Sequence, residues 1–298
     1  MPLPYHLLDV FTDQPFCGNP LAVVLEADGL SDARMQAIAR EFNLSETVFV
    51  QTANAAGTPA RVRIFTPLRE LPFAGHPTIG TACLLVELGL VPQTQAEVRF
   101  ALQEGIGPVP VRVCRIPGQP PYAELTAAQR PEYGTPPRTA DIAHILGLDP
   151  ADLGSAGETV RAVSCGLPFV LVPVRAPEIL AGIAFDVAAW RARLAGQWAE
   201  ALYVYARGYE GELRARMFAP AMGVVEDPAT GSAAAALGGA LATEATIADG
   251  VLQWWIDQGI EMGRPSRLYV TAERAGGAVR AVRVGGHAVR IAHGLLLA

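Results

Sequence analysis

Hydrophobic residues follow a strand-like pattern over most of the chain. Runs of about four to eight residues that are apolar, or that alternate apolar with polar side chains, are typical of buried and half-buried strands. Such runs predict strands over residues 5–11, 21–25, 47–51, 61–66, 98–100, 109–114, 160–165, 169–174, 201–205, 214–218, 254–262 and 267–272, and a closing hairpin over 279–284 and 288–291.

Helical spacing is confined to a few segments. Residues 32–42 place Met35, Ile38, Ala39 and Phe42 on one face, and Ser31 is a suitable N-cap. Further helices are predicted over residues 77–88, 139–146, 187–200 and 228–241. The segments 77–88 and 228–241 are apolar on all sides and must be buried all round, which a sheet curled around each helix would achieve.

These two helices begin with the same motif. Residues 76–82 read HPTIGTA and residues 227–233 read DPATGSA, 151 positions apart, and each copy follows a similar lead-in, RIFTP at 63–67 and RMFAP at 216–220. A period of half the chain predicts two related halves. We therefore expect an α+β fold of two pseudo-symmetric halves, each a mostly antiparallel, barrel-like sheet around a central helix.

Two stretches dense in proline and glycine, residues 117–121 and 131–137, mark the region of the boundary between the halves, which we place after residue 118. The first half then comprises residues 1–118, with Glu46 and the His76 turn, and residues 285–298 are a candidate for return to it. The second half comprises residues 119–284, with the turn from Asp227 to Ser232.

Composition narrows the functional classes. The 298 residues are 51% hydrophobic with a net charge of −6, so the chain can build large cores but lacks the basic patch of a nucleic-acid-binding protein. No apolar run reaches the ~20 residues that span a bilayer, and the first residues lack the pattern of a signal peptide. The four scattered cysteines indicate reduced thiols and a cytoplasmic location, with Cys17 as the candidate exposed thiol.

The repeated motif is a candidate anion site. Proline is favoured at the first position of a helix, so Pro77 and Pro228 predict two helix starts, directly preceded by His76 and Asp227. The unpaired N–H groups of a helix N-terminus attract a carboxylate or phosphate. Two such turns facing each other would stabilise charge that develops on a substrate between them.

A purely structural interpretation of the motif is also open, with Asp227 as an N-cap and His76 as a packed turn residue. Caps alone do not explain why a glycine and a hydroxyl recur at the same offset in both copies, which favours the functional interpretation. Thr230 and Ser232 could each bind substrate or cap the helix. Ser232 is the stronger candidate because Thr81 occupies its position in the first copy.

Glu46 is a candidate general acid or base. It lies in the segment NLSET, residues 43–47, where a predicted helix ends and an apolar strand begins. Partial desolvation there would raise the pKa of its carboxyl group toward the range useful for proton transfer. The alternative is a solvated loop glutamate.

Other catalytic patterns are missing from the sequence. No Gly-x-Gly-x-x-Gly follows a strand and no Walker-type loop occurs, which argues against a nucleotide cofactor. The pair Gly231-Ser232 is not part of a Gly-x-Ser-x-Gly elbow, and five scattered histidines without cysteine pairs argue against zinc. We expect no cofactor and no metal.

Six blocks of the sequence resemble one known family. They read LDVFT at 8–12, GNPLAV at 18–23, NLSET at 43–47, FAGHPT at 73–78, EDPATGSA at 226–233 and QGIEMGRPS at 258–266. Their order and spread, nearly end to end, resemble the PhzF family of phenazine biosynthesis-like proteins. The resemblance implies the diaminopimelate epimerase-like fold, with an active site between two similar halves.

The resemblance also implies the catalytic residues. PhzF-like proteins use a glutamate, a histidine, an aspartate and a serine, which map by motif onto Glu46, His76, Asp227 and Ser232. Epimerases and racemases of this fold use two cysteines as acid and base. Neither repeated turn contains a cysteine here, which argues against two-thiol racemisation.

The characterised member of that family isomerises trans-2,3-dihydro-3-hydroxyanthranilate by moving a proton from C3 to another ring carbon. By resemblance, Glu46 would carry the proton. His76 and Asp227 would orient the substrate amine or carboxylate and tune Glu46, and Ser232 and the helix N–H groups would bind the carboxylate. Gly75 would permit close approach to the backbone, and Thr230 and Gly231 are further binding positions.

We therefore expect a cofactor-independent isomerase for a small cyclic or conjugated carboxylate; the family also implies a homodimer. The first alternative is an epimerase or racemase of an amino or imino acid that uses Glu46 with His76 or Asp227. The second is a small-molecule-binding or interaction protein on the same fold. The residues do not specify the physiological substrate or its pathway.

Overall fold

The computed structural model describes residues 2–52, 60–91, 96–155, 157–208 and 212–297. The chain forms two compact units, one made of Met1–Thr126 with Gly285–Ala298 and the other of Ala127–Val284. The division falls after Thr126 because the strand that ends there pairs within the first unit. It therefore lies within the proline-rich region of residues 117–137, C-terminal to the bound at residue 118.

The helices and strands have the following bounds, in chain order: β1 (Leu3–Val10), β2 (Asn19–Val24), α1 (Asp32–Phe42), β3 (Glu46–Gln51), β4 (Arg61–Phe65), β5 (Glu70–Leu71), α2 (Gly75–Glu87), β6 (Glu97–Glu104), β7 (Gly107–Cys114), β8 (Tyr122–Thr126), β9 (Glu132–Gly134), α3 (Thr139–Leu146), β10 (Arg161–Ser164), β11 (Pro168–Val174), α4 (Pro177–Ala181), α5 (Val187–Arg193), β12 (Ala201–Arg207), β13 (Leu213–Ala219), β14 (Val224–Asp227), α6 (Gly231–Glu244), β15 (Gly250–Gln258), β16 (Ser266–Ala275) and β17 (Ala278–Leu296).

Eight strands of the first unit close into a barrel. The ring runs β1–β2–β3–β4–β6–β7–β8–β17 and returns to β1. Neighbours are antiparallel except β2–β3 and β4–β6, which are parallel. Helix α2 contacts β1, β2, β3, β7 and β8, and every residue from Gly75 to Val86 is buried. The barrel therefore surrounds α2, as its apolar sequence requires.

The second unit repeats this pairing scheme. Its sheet runs β9–β10–β11–β12–β13–β15–β16 and ends with the first part of β17. The parallel pairs β11–β12 and β13–β15 stand where β2–β3 and β4–β6 stand in the barrel. Helix α6 contacts β10, β11, β15 and β16, so the sheet curls around it. The predicted α+β class and the two similar halves are confirmed.

The lead-in of the motif shows the duplication at atomic detail. In β4, Arg63 binds Glu70 through two bonds of 2.7 and 2.6 Å, and its guanidinium carbon lies 5.2 Å from the ring centroid of Phe65. The second unit repeats this fork at 2.8 and 2.9 Å, with 5.1 Å to the ring, in residues Arg216, Glu226 and Phe218. The repeated letters therefore mark equivalent positions of two strands.

The closing hairpin predicted over 279–284 and 288–291 is wrong, because β17 is one continuous strand from Ala278 to Leu296. Gly285 and Gly286 suggested a turn, but they serve close packing. A Cβ on Gly285 would lie 2.2 Å from the Tyr122 hydroxyl, and one on Gly286 would lie 2.4 Å from Phe11 Cδ1. Extended glycines let β17 pass these side chains.

Candidate active site

The first repeated turn lies inside the start of α2, which corrects the predicted helix start. The N-cap is Ala74, with φ −153° and ψ 143°, and the helix begins at Gly75. His76 is therefore the second helical residue and does not precede the helix. Pro77 is tolerated at the third position because the N–H groups of the first turn have no partner within the helix.

The second turn is longer than predicted. Asp227 ends β14, where its backbone pairs with Met217 of β13, and α6 begins only at Gly231 with Thr230 as N-cap. Asp227 is thus neither the N-cap nor adjacent to the helix, since the strand ladder holds its backbone extended. Ser232 occupies the second position of α6, as His76 does in α2, and its side chain is half-buried.

Glu46 and His76 meet in the first unit. Glu46 begins β3 directly after α1, whose C-cap Asn43 adopts the left-handed conformation with φ 50°. His76 Nε2 lies 3.5 Å from Glu46 Oε2, and the side chains are 5% and 16% exposed. The structure therefore brings together two of the predicted catalytic residues, one from a strand end and one from a helix start.

Asn19 fixes the tautomer of His76. Burial lowers the pKa of the imidazole to about 3, so the ring is neutral near pH 7. The amide nitrogen of Asn19 lies 3.3 Å from His76 Nδ1. Because an amide N–H can only donate, Nδ1 accepts and the ring proton lies on Nε2. Nε2–H therefore lies near Glu46 Oε2, at an N···O distance of 3.5 Å, without a hydrogen bond among the described residues.

The turn before β2 aims Asn19 at this ring. Gly18 has φ +68°, and a Cβ there would lie 2.4 Å from the carbonyl oxygen of Val10. Only glycine meets both conditions without strain. Asn19 follows as the first residue of β2, opposite Val10 in β1, and is fully buried.

Asp227 belongs to a separate network in the second unit. Thr230 Oγ1 donates to Asp227 Oδ2 over 2.6 Å and accepts from Gln258 Nε2 over 3.2 Å. Gln258 also donates to the backbone oxygen of Asp227 over 2.8 Å, and its own Oε1 accepts from Thr230 N and from the Tyr203 hydroxyl. The side chains of Thr230 and Gln258 are thus each held by at least two bonds of this buried network.

The glycine after Gln258 completes the support of the second turn. Gly259 has φ +78°, and a Cβ there would lie 2.6 Å from the carbonyl oxygen of Pro228. The start of the loop after β15 therefore packs directly on the turn that follows Asp227. This contact accounts for a glycine in the QGIEMGRPS block.

Neither helix start is capped by a side chain. Ala74 has no polar side chain, and the Thr230 hydroxyl is used by Asp227 instead of the first-turn N–H groups of α6. The N-terminal amides near Gly75, Gly231 and Ser232 therefore lack the usual side-chain acceptor. Such amides suit an anionic ligand.

Sequence reasoning missed three residues of these networks as site residues, namely Asn19, Gln258 and Tyr203. Asn19 and Gln258 lie inside blocks that carry the resemblance, each as the polar residue at the end of an apolar strand. That placement is the signal that could have identified them. The predicted elevation of the Glu46 pKa and the action of both turns on one substrate stay predictions.

The described residues hold no group of three or more His, Cys, Asp or Glu side chains that could bind a metal ion. None of the four cysteines forms a disulfide, and burial raises the pKa of the Cys165 thiol to about 12. No helix in the described part of the chain is long and apolar enough to cross a membrane.

Comparison with known proteins places this geometry in a family. Residues 8–294 match the family model of phenazine biosynthesis-like proteins, PhzC-PhzF. An uncharacterized isomerase of Mesorhizobium japonicum is 45% identical over 98% of both chains. The trans-2,3-dihydro-3-hydroxyanthranilate isomerase of Pseudomonas aeruginosa is 39% identical, over 97% of this chain and 98% of its own.

A solved structure agrees with the sequence relatives. The crystal structure of the Bacillus anthracis phenazine biosynthesis protein of the PhzF family covers 100% of both chains, with a TM-score of 0.89 at 25% identity. Family model, isomerase relatives and fold thus lead to one conclusion: the chain belongs to the phenazine biosynthesis-like family and is an isomerase.

Proposed function

We propose that this isomerase moves a proton between two carbons of a small cyclic or conjugated carboxylate, in the manner of trans-2,3-dihydro-3-hydroxyanthranilate isomerase, with Glu46 as the proton carrier. The observation that carries the proposal is the Glu46 carboxyl group held 3.5 Å from Nε2 of a buried, neutral His76. The 39% identity to the Pseudomonas aeruginosa enzyme supports the substrate class.

The state of His76 decides the starting role of Glu46. His76 Nε2 makes no hydrogen bond among the described residues but lies 3.5 Å from Glu46 Oε2, and catalytic hydrogen bonds often tighten only in the substrate complex. A neutral imidazole with its proton on Nε2 does not compete for the substrate proton, and a hydrogen bond donated to Glu46 in that complex would favour the carboxylate over the carboxylic acid. Glu46 therefore enters the reaction as a general base.

The proton transfer needs no second reactant, because Glu46 both takes a proton and gives one back. The Glu46 carboxylate takes the proton from C3 of the substrate, and the electron pair of the broken C–H bond moves into the conjugated system. The resulting carboxylic acid, whose proton exchanges with water, returns a proton to another ring carbon as the double bonds shift. The enol product then becomes a ketone. Because the conjugated substrate delocalises the charge, the reaction requires no cofactor.

The second turn supplies binding groups in this proposal. Asp227 is buried and already accepts one bond from Thr230, so its orientation is fixed before substrate arrives. We assign Asp227 to the substrate amine, and Ser232 with the first-turn amides at Gly231 to the carboxylate. Gly75 allows a substrate to approach the backbone of α2.

The test is proton NMR in D₂O with purified protein and trans-2,3-dihydro-3-hydroxyanthranilate. We expect the C3 signal to disappear while deuterium enters a second ring position. Glu46→Gln keeps the shape of the side chain but cannot carry the proton, so turnover should be abolished while Kd stays within about tenfold. Glu41→Gln, an exposed glutamate of α1, is the matched control and should keep wild-type turnover.

Other outcomes separate the alternatives. Deuterium at a stereocentre without migration of a double bond would identify an epimerase or racemase. Binding without proton exchange in any candidate carboxylate would favour a binding protein. Turnover by Glu46→Gln at the wild-type rate would remove Glu46 from the mechanism.

A further inference from the structure

A buried hydroxyl beside the His76 turn lies between two oxygen atoms. Thr78 Oγ1 is 2.7 Å from the carbonyl oxygen of Ala74 and 2.6 Å from Glu104 Oε1. Thr78 and Glu104 are both buried. The carbonyl can only accept, and a hydroxyl has one proton to donate. Two hydrogen bonds at these distances therefore need a second proton, and Glu104 is the one group that can supply it.

The second unit has an equivalent pair of residues. Across β4 and β6, Arg61 is opposite Gln103, and across β13 and β15, Arg214 is opposite Asp257. Both arginines lie two positions before the arginine of the Arg–Glu fork. The next residues along β6 and β15, Glu104 and Gln258, therefore occupy equivalent positions.

Gln258, at the position equivalent to Glu104, acts as a hydrogen-bond donor. Its amide donates to Thr230 Oγ1, and Thr230 donates onward to Asp227 Oδ2. In the first unit the corresponding relay runs from Glu104 to Thr78 and then to the oxygen of Ala74. An amide always has a proton to give, whereas a carboxyl group has one only when it is neutral. The duplicated fold thus uses a neutral donor at both positions.

The surroundings of Glu104 also favour the neutral acid. Its Oε2 is buried without a hydrogen-bond partner among the described residues. Burial raises the pKa of the carboxyl group to about 8, against the opposing effect of the Thr78 bond. Three neighbouring elements of the described chain face Glu104. Strand β7 places Gly107 opposite it, and β4 places Arg61 opposite Gln103, the residue before it. Helix α2 contributes neutral His76, two positions before Thr78.

We propose that Glu104 is a positioning residue of this isomerase: as a neutral carboxylic acid it donates to Thr78, Thr78 donates to Ala74, and this relay holds the first turn of α2 and the His76 ring on it. The effect on turnover rests on the proposed function of Glu46 and His76. The protonation state of Glu104 does not depend on it.

Loss of the proton would disrupt the relay. With Glu104 ionised, one hydroxyl proton remains for two acceptors, and the carboxylate takes it because charged acceptors bind more strongly. The bond to the Ala74 carbonyl is then lost at the helix start. His76 moves relative to Glu46, and proton transfer slows because it depends steeply on geometry.

The first experiment measures the proton directly, without substrate. Protein labelled with ¹³C at the glutamate carboxyl groups is titrated by NMR, and the resonance absent from Glu104→Gln is assigned to Glu104. We expect that resonance to titrate near pH 8 and the ¹⁵N signals of His76 to shift with it, a shift absent from Glu104→Gln. Titration near pH 4, the ordinary range for glutamate, would overturn the proposal.

The second experiment is the pH profile of turnover for wild type, Glu104→Gln and Glu97→Gln, an exposed glutamate on the same strand. We expect wild-type kcat to fall about tenfold per pH unit above pH ~8, with KM little changed. Glu104→Gln should keep kcat within about threefold near neutral pH and lose that decline, while Glu97→Gln behaves as wild type.

The two experiments separate this proposal from the proposed function. A decline that persists unchanged in Glu104→Gln would overturn the positioning role. If no substrate is turned over, the proposed function fails, and the coupled ¹³C and ¹⁵N titrations still decide whether neutral Glu104 holds His76. A Glu104 titration near pH 8 with unmoved His76 signals would also overturn the positioning role.

Discussion

At the scale of single residues, one amide group sets the proton on His76. Asn19 donates to Nδ1, which leaves Nε2–H for Glu46. The orientation and tautomer of a histidine are commonly fixed by the partner of its second ring nitrogen. In the proposed reaction, Glu46 therefore depends on Asn19, which acts on it through the His76 ring.

Asn19→Asp should reverse this tautomer. A carboxylate can only accept, so Nδ1 would carry the proton and Nε2 would present a lone pair to the Glu46 carboxylate. We expect kcat to fall by about 10²- to 10⁴-fold, as for a catalytic histidine held in the wrong tautomer. The measurement is kcat together with the ¹⁵N shifts of His76.

Asn19→Ala is the control for this prediction. It removes the anchor without imposing the wrong tautomer, so its loss of kcat should be smaller than that of Asn19→Asp. Circular dichroism and thermal unfolding show whether both variants fold. An equal loss in two folded variants would mean that the tautomer has no part in the effect.

Thr230→Val tests the second network. The change leaves Asp227 Oδ2 and Gln258 Nε2 without their shared hydroxyl in a buried site. We expect a loss of about 1–3 kcal/mol in the free energy of unfolding, the cost of unpaired buried polar groups, and a lower kcat/KM. Thr243→Val, which removes an ordinary bond to Gly239 within α6, is the matched control and should cost less on both measures.

A candidate site residue can be predicted from the sequence when the residues next to it along the chain form a recognisable motif. Glu46, His76, Asp227 and Ser232 follow from the repeat and the resemblance, and the structure places Glu46 beside His76. Asn19 and Gln258 are different, because their partners lie 57 and 28 positions away in sequence. Their roles arise from strand ends meeting helix starts, which no local pattern records.

At the scale of elements, the small residues of a central helix decide how closely the surrounding strands can pack on that helix. A Cβ on Gly238 of α6 would lie 2.3 Å from Val270 Cγ1 of β16. The helix therefore packs on that strand through backbone atoms. The apolar run of α6 predicted burial on every side, and this contact shows why small residues dominate it.

Gly238→Ala should destabilise the protein, although alanine is the better helix former by about 1 kcal/mol. The added methyl group meets a fully packed valine, and overpacking of this kind costs about 1–3 kcal/mol. Denaturant unfolding gives the free energy. The double change Gly238→Ala with Val270→Ala should be more stable than the sum of the single effects predicts. Additive effects would show that the two side chains do not compete for space.

Element boundaries were predicted well where caps are local and poorly where packing sets them. Ser31 and Asp32 fix the start of α1 as predicted, because the cap bond from Arg34 N to Ser31 is local. The starts of α2 and α6 differ from the prediction, which places Pro77 and Pro228 as first helical residues. Strand pairing with Met217 keeps Asp227 out of α6, and a pairing partner is not visible in the local sequence.

At the scale of the whole molecule, two buried groups should shape stability against pH in opposite directions. The pKa of His76 falls from 6.5 to about 3 on folding, so the unfolded chain binds the proton and stability is lost as pH falls below about 6.5. The pKa of Glu104 rises from 4.5 to about 8, so the folded chain binds the proton and stability is lost as pH rises from about 4.5 to about 8.

The comparison of wild type with Glu104→Gln isolates the second effect. The difference in the free energy of unfolding, wild type minus variant, should fall by at most about 1.4 kcal/mol per pH unit between pH ~4.5 and ~8. Urea unfolding at a series of pH values measures it. A difference that does not change with pH would mean that Glu104 titrates alike in the folded and unfolded chain.

The duplication made the architecture predictable from one sequence. Two copies of a motif indicated two halves, and two apolar helices indicated two surrounding sheets, both of which the structure confirms. The closure of the first barrel is only partly predictable in this way, because the sequence indicates residues 285–298 as a candidate for return to the first half but predicts a hairpin there. Closure depends on one strand, β17, which crosses from one unit to the other through Gly285 and Gly286, residues that are typical of a turn.

That crossing strand also fixes an order of events during synthesis. The first barrel lacks the strand between β8 and β1 until residues 285–296 have been translated, although its other strands leave the ribosome early. Residues 127–284 form a continuous segment and are complete sooner. Of the two units, the N-terminal barrel, with Glu46 and His76, is therefore the second that can close, and a nascent chain cannot hold Glu46 and His76 in a closed barrel before residues 285–296 have been translated.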